Sequence, residues 1–277
     1  MSRNKFIYIG DFFLSDIIGG GELNDHELCE ILLAKKIRSH EITIDFLDAH
    51  QEHKLIVSNF INLPESVKEY VMKKRDYIIY EHDHKYLKTR NPAEYTNFKA
   101  PSNELINVDF YKKSLGVFCQ SSFHENVVKR NIDSNNTFNV SGNLWSIDSL
   151  EFMKHHCHNK KTGKYSILDS NIPHKNTYET MLYCNKKGFE YDLISSQDYL
   201  SFLTLLSKND KFIFLPKTPE TLSRVVVEAR MLGIKTITNK NVGAAYEDWF
   251  ALKGEDLIDH MIQKRKEIPR MITERFQ

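Results

Sequence analysis

Short apolar runs alternate with helix-patterned segments along almost the whole chain, and that rhythm admits few folds. KFIYIG (5–10), DYIIYEHD (76–83) and LGVFCQS (115–121) read as strands, and ITIDFL (42–47) and KLIVSNF (54–60) as further strands or short elements. Between them, NDHELCEILLAKKIR (24–38), SVKEYVMKKR (66–75) and FHENVVKRN (123–131) carry helical spacing. Such alternation is the pattern of a parallel sheet covered by helices. In the first helix Leu28, Ile31, Leu32 and Lys35 share one side, and Asn24 or Asp25 is available as N-cap.

From Ser146 to Lys164 the character changes, because MKHHCHNKKTGK is polar and basic with no sustained apolar period, and the stretch reads as a connection. The rhythm then restarts with YSILDS (165–170), NTYETMLYCNKKG (176–188), YDLISS (191–196), YLSFLTLLSKND (199–210), KFIFLP (211–216) and KTITN (235–239). Two α/β lobes are expected, 1–147 and 148–277, which a chain of 277 residues accommodates.

Hydrophobic residues at 41%, charged residues at 27% and a net charge of +1 are those of an ordinary globular protein, so no long nucleic-acid groove is demanded. Cys29, Cys119, Cys157 and Cys184 form no CxxC pair, which argues against a disulfide framework or a zinc ribbon and for a reducing cytoplasm. The N-terminus lacks a long apolar core, and no window approaches 18 uncharged apolar residues. Neither secretion nor a membrane span is expected.

The stretch TPETLSRVVVEARMLG (218–233) carries two glutamates, Glu220 and Glu228, at either end of an apolar run. Thr218 and Pro219 suit an N-cap and a first turn, which places the helix start within a residue or two of Glu220. Leu222, Val225, Val226 and Ala229 then form the buried stripe. Eight helical steps span roughly 12 Å, about the reach from a sugar across a pyrophosphate to a ribose. The first-turn amides of Thr221, Leu222 and Ser223 would cradle the pyrophosphate, Glu220 would accept from sugar hydroxyls and Glu228 from ribose hydroxyls. The bland alternative makes Glu220 a favourable first-turn charge and Glu228 a solvated residue.

FLPKTPETLSRVVVEARMLGIKTITNKNVG resembles the nucleotide-binding lobe of retaining GT-B glycosyltransferases, in which two glutamates separated by seven residues follow a buried strand. IGGGELNDHELCEIL, YIIYEHDH, VFCQSSFHENVVKR and the spacing of YSILDSNIPHK extend the resemblance over most of the chain. The resemblance implies an α/β GT-B fold of two Rossmann-like lobes facing a cleft, with the last helix crossing back to the first lobe.

It also implies roles for particular residues. Gly19, Gly20 and Gly21 follow the first strand by too long a loop for a dinucleotide fingerprint, and by resemblance face the donor phosphates or the acceptor. A histidine at the end of YIIYEHDH, either His82 or His84, would contact the donor sugar, and Asp83 could instead serve as acceptor-side base. Lys175 matches the basic residue set against the diphosphate, with Arg224 a weaker candidate because it can pair with Glu220 or Glu228 along the helix. The HHCH tract, His155 to His158, cannot easily wrap one tetrahedral ion and reads as a solvated connection, so no metal is assigned.

The implied activity is retaining transfer of a sugar from a nucleotide-diphosphate donor, without a required cofactor. Asn-, Lys- and Ile-rich usage, YEHDHKYLKTRNP and FCQSSFHENVVKR resemble glycosyltransferase-like proteins of tailed bacteriophages, which would place the chain in a host cytoplasm. Two acceptors follow: a hydroxymethylated pyrimidine in phage DNA, met by Lys85, Lys88, Arg90, Lys99, Lys112, Lys113, Lys129 and Arg130, or a bacterial surface glycan. A nucleotide-sugar epimerase and a noncatalytic binding protein on the same scaffold are the other classes.

Overall fold

The computed structural model describes residues 6–277; Lys5, expected to open the first strand, lies outside them. The chain separates into two units. One comprises the described residues through Leu144 together with Lys266–Gln277, and the other is Trp145–Arg265. No helix among the described residues is long and apolar enough to cross a membrane.

The first unit runs β1 (Phe6–Gly10), α1 (Gly20–Leu32), β2 (Lys35–Arg38), α2 (Ile44–Ala49), β3 (Lys54–Val57), α3 (Glu65–Lys74) and β4 (Tyr77–Tyr80). It continues through α4 (Val108–Lys113), β5 (Val117–Cys119), α5 (Ser122–Asn131) and β6 (Thr137–Asn139). All six strands pair in parallel, in the order β2-β1-β3-β4-β5-β6. The runs are apolar at consecutive positions because both faces are buried. Ile7, Ile9, Leu55, Val57 and Ile79 point into one core, while Phe6, Tyr8, Ile56, Ile78 and Phe118 point into the other.

Three expectations need correction here. The helix expected over 24–38 begins at Gly20 and stops at Leu32, because Leu33 turns left-handed (φ 53°) and the following KKIR forms an edge strand. Asn24 and Asp25 are therefore buried residues inside the helix rather than its cap. ITIDFL is a helix start: the Thr43 hydroxyl accepts from the Phe46 amide at 3.1 Å, and that cap overrides the strand-like composition. Strand β6 and helix α4 were not foreseen, each being too short to show a period.

The second unit runs α6 (Ile147–His156), β7 (Tyr165–Leu168), α7 (Thr177–Lys187), β8 (Tyr191–Ile194), α8 (Tyr199–Ser207), β9 (Lys211–Phe214), α9 (Arg224–Met231), β10 (Lys235–Thr238) and α10 (Gly254–Thr273). Its four strands are parallel in the order β10-β9-β7-β8. Phe212 and Phe214 face one core and Ile213 the other. Within the stretch expected to be a connection, α6 is capped by Ser146, whose hydroxyl accepts from Ser149, and buries only Leu150 and Met153 on its apolar side. So narrow a stripe explains the misreading. From Lys266 the last helix groups with the first unit, where Ile268 and Ile272 join the Tyr8 core.

Candidate functional site

In the second unit the chain goes from β7 outward to β8, then returns past β7 to β9. The carboxyl ends of β7 and β9 therefore flank a point where the strand order reverses, the place at which open parallel sheets bind ligands. Lys175 follows β7 in a short 3-10 turn, and Glu220 follows β9. The Lys175 ammonium donates to both oxygens of Glu220, at 2.9 Å each, and lies 5.8 Å above the Phe214 ring. Both side chains are partly shielded from solvent.

The two-glutamate stretch is not one continuous helix. Glu220 N–H donates to the Asn241 carbonyl at 2.7 Å, while the Glu220 and Leu222 carbonyls accept from Gly243 and Ala244. This extended pairing holds residues 220–222 out of helical conformation, and α9 begins only at Arg224. Thr218 and Pro219 accordingly lie in the loop. The helical rise reckoned from Glu220 fails with the same correction, and the first-turn amides belong to Arg224 and Val225 rather than to Thr221, Leu222 and Ser223. Ser223 sits between the two conformations at φ 74°, ψ 79°, a left-handed geometry that costs a non-glycine residue about 1–3 kcal/mol. Its hydroxyl is buried and meets no partner among the described residues.

Glu228, 2% exposed, is not solvated. It accepts from Trp145 Nε1 at 2.9 Å and from the Tyr199 hydroxyl at 2.6 Å, and it pairs with Arg224 at 3.0 Å. Burial and the Glu228 charge push the Tyr199 phenol upward, so it stays a donor.

In the first unit the order reverses between β1 and β3, and the loop after β1 leads there through Gly19, the N-cap, into α1, which opens with Gly20 and Gly21 rather than leaving them in the loop. Gly21 lies against the His82 ring: a Cβ at that position would come 3.8 Å from His82 Cγ. His82 donates from Nε2 to Asp25, whose other oxygen accepts from Ser58 at 2.7 Å. The Gln120 amide donates to His82 Nδ1 and, at 3.3 Å, to the Glu81 carbonyl. Burial works against the imidazolium, but the adjacent Asp25 carboxylate outweighs it and raises the His82 pKa. Glu22, in the first turn of α1, is raised by burial.

No protein-family model matches the sequence, and no curated protein is similar enough to count as a relative. Among the solved structures that match, two align over nearly the whole chain as follows. Anabaena HepE, solved in complex with UDP and glucose, superposes with a TM-score of 0.55 at 12% identity, over 99% of this chain and 95% of its own. An alpha-glucosyltransferase, solved with UDP and a 13-mer DNA containing an HMU base, superposes with 0.51 at 10% identity, over 96% and 90%. The fold is GT-B. A GT-B chain carries a parallel α/β sheet in each unit, as found here.

Within this GT-B scaffold several candidates sit differently from expectation. His84 is buried at φ 58°, bonded through Nδ1 to the Tyr86 hydroxyl at 2.8 Å, and burial holds its pKa down to about 4. It is an internal residue, which leaves His82 as the histidine of this loop beside the glycines. Asp83 pairs with Lys85 and, at 3.1 Å, with Arg90. Lys85 is itself 1% exposed and bonded to Glu81 at 3.0 Å, so it leaves the list of exposed cations. Lys88, Arg90, Lys99, Lys112, Lys113, Lys129 and Arg130 are exposed. In the HHCH tract, Cys157 and His158 come with Glu255 to donor separations under 4.8 Å, but Lys154 and His158 already pair with that carboxylate at 3.5 and 2.8 Å.

Asp25, Gln120, Trp145 and Tyr199 escaped the sequence reading. Asp25 resembled a helix cap, and Gln120 immediately follows a strand, a position that signals a ligand-facing edge in this class. Trp145 and Tyr199 lie 83 and 29 residues from the glutamate they contact, which no local pattern displays.

Proposed function

We propose that the protein transfers a sugar, with retention, from a nucleotide-diphosphate sugar, and that the Lys175–Glu220 pair is the donor-sugar site. The pair itself, at the carboxyl ends of the strands flanking the reversal, is the observation that carries this reading. The complexes of HepE and of the DNA-bound glucosyltransferase with UDP support a uridine nucleotide as donor.

In this reading the donor's diphosphate draws the Lys175 ammonium away from Glu220. The freed carboxylate then accepts from sugar hydroxyls, and Lys175 offsets the charge that builds on the departing diphosphate. Glu228 takes the ribose hydroxyls. The bond from the anomeric carbon to the diphosphate breaks as that carbon bonds the acceptor oxygen on the same face, and the acceptor proton passes to the leaving group. In the first unit Asp25 and Gln120 fix the His82 ring beside Gly21. Asp83 is paired with Lys85 and Arg90.

The acceptor we favour is a hydroxymethylated pyrimidine in DNA, as in the glucosyltransferase of the same fold, with Lys99, Lys112 and Lys113 among the exposed cations meeting phosphates. Incubation with UDP-glucose and duplexes that contain or lack hydroxymethylated pyrimidine tests this. Nucleotide release and a hexose mass increase only on the modified duplex are expected. Transfer to a surface glycan but not to DNA would move the acceptor, and interconversion of the donor sugar alone would make the enzyme an epimerase.

A further inference from the structure

The three groups around Glu228 do not share its carboxylate evenly. Trp145 Nε1 and the Tyr199 hydroxyl donate to Oε1 at 2.9 and 2.6 Å, the Arg224 guanidinium forms an ion pair with the same oxygen at 3.0 Å, and no donor among the described residues reaches Oε2. The groups come from three places: Trp145 just before α6, Tyr199 at the first position of α8 and Arg224 at the first position of α9. They also pack on one another, the guanidinium lying 4.4 Å over the Trp145 ring and 5.8 Å from the Tyr199 ring centre. Rotating the carboxylate would break two hydrogen bonds and an ion pair to a buried charged oxygen, so its orientation is fixed. A cluster needed only to neutralise Glu228 would be expected to spread its donors over both oxygens.

We propose that Trp145, Tyr199 and Arg224 are positioning residues that pin Oε1 and keep Oε2 aimed at the vicinal hydroxyls of a ribose, which makes the site selective for ribonucleotides. The inference rests on the donor-site reading above. A pinned oxygen accepts from a diol without first reordering, whereas a freely turning carboxylate loses part of that gain to entropy.

The test is calorimetric titration of the intact protein with uridine diphosphate and with its 2′,3′-dideoxy counterpart, on wild type, Tyr199→Phe and Trp145→Phe. The wild type should prefer the ribonucleotide by roughly tenfold or more, the scale of a hydrogen bond to a charged group. Each variant should cut that preference several-fold while binding the dideoxy form within about twofold of wild type, as expected when only the hydroxyl contacts are lost. Equal weakening toward both nucleotides, or an unchanged preference in both variants, would overturn the positioning role while leaving the donor site standing. Failure of wild type to bind either nucleotide would instead overturn the donor-site reading and the inference with it.

Discussion

Lys175 spans both oxygens of Glu220 at 2.9 Å, joining two loops that are 45 residues apart in sequence. Lys175→Ala should lower kcat by about 10²- to 10³-fold, the usual loss when a group that stabilises developing charge is removed. The ion pair is partly exposed and should contribute no more than about 1 kcal/mol to folding, so the melting temperature should move by only a few degrees. Steady-state kinetics and a thermal melt on the same sample check both.

Ser223→Gly should raise stability. At φ 74° a glycine relieves a strain of roughly 1 kcal/mol or more, which a denaturant titration reads as a higher midpoint. A lower midpoint would show that Ser223 carries no such strain.

Asp25→Asn should lower the pKa of His82. With the carboxylate gone, burial is the largest influence left on the ring, and burial disfavours the imidazolium. Titration of the His82 ring resonances by NMR in wild type and variant reads the shift directly. An unchanged pKa would mean that Asp25 does not govern the ring.

Stability should fall as the pH drops from 6.5 toward 4. Unfolded His84 takes up a proton across that window, whereas burial holds the folded residue down to about 4, so stability present above 6.5 is lost on acidification. Buried His124, whose ring lies 5.1 Å away, is depressed in the same direction, as is Glu81 beside Lys85; His82, raised by Asp25, acts in the opposite sense. His84→Asn, a residue that tolerates positive φ, should flatten the pH dependence of the denaturation midpoint. An equally steep profile in the variant would remove His84 as a cause.

The strands were legible because continuous runs such as FIYIG and KFIF are buried on both faces, a pattern that survives in one dimension. The start of α9 was not, since TPE has the composition of a helix opening while the backbone of residues 220–222 is claimed by 241–244, a tertiary pairing that outranks capping. Glu220, Glu228 and Lys175 were found as residues of interest, and i,i+4 spacing offered the Arg224–Glu228 pair, but not that Lys175 holds the first glutamate or that Trp145 and Tyr199 hold the second. Likewise Asp25 had the look of a cap because its role depends on a histidine 57 residues away.

A crystal structure of the protein soaked with UDP-glucose tests the central claim most directly. It should show Lys175 moved from Glu220 to a diphosphate oxygen at about 3 Å, with the Glu220 carboxylate accepting from the glucose hydroxyls. The nucleotide bound elsewhere, with Lys175 and Glu220 still joined, would contradict it.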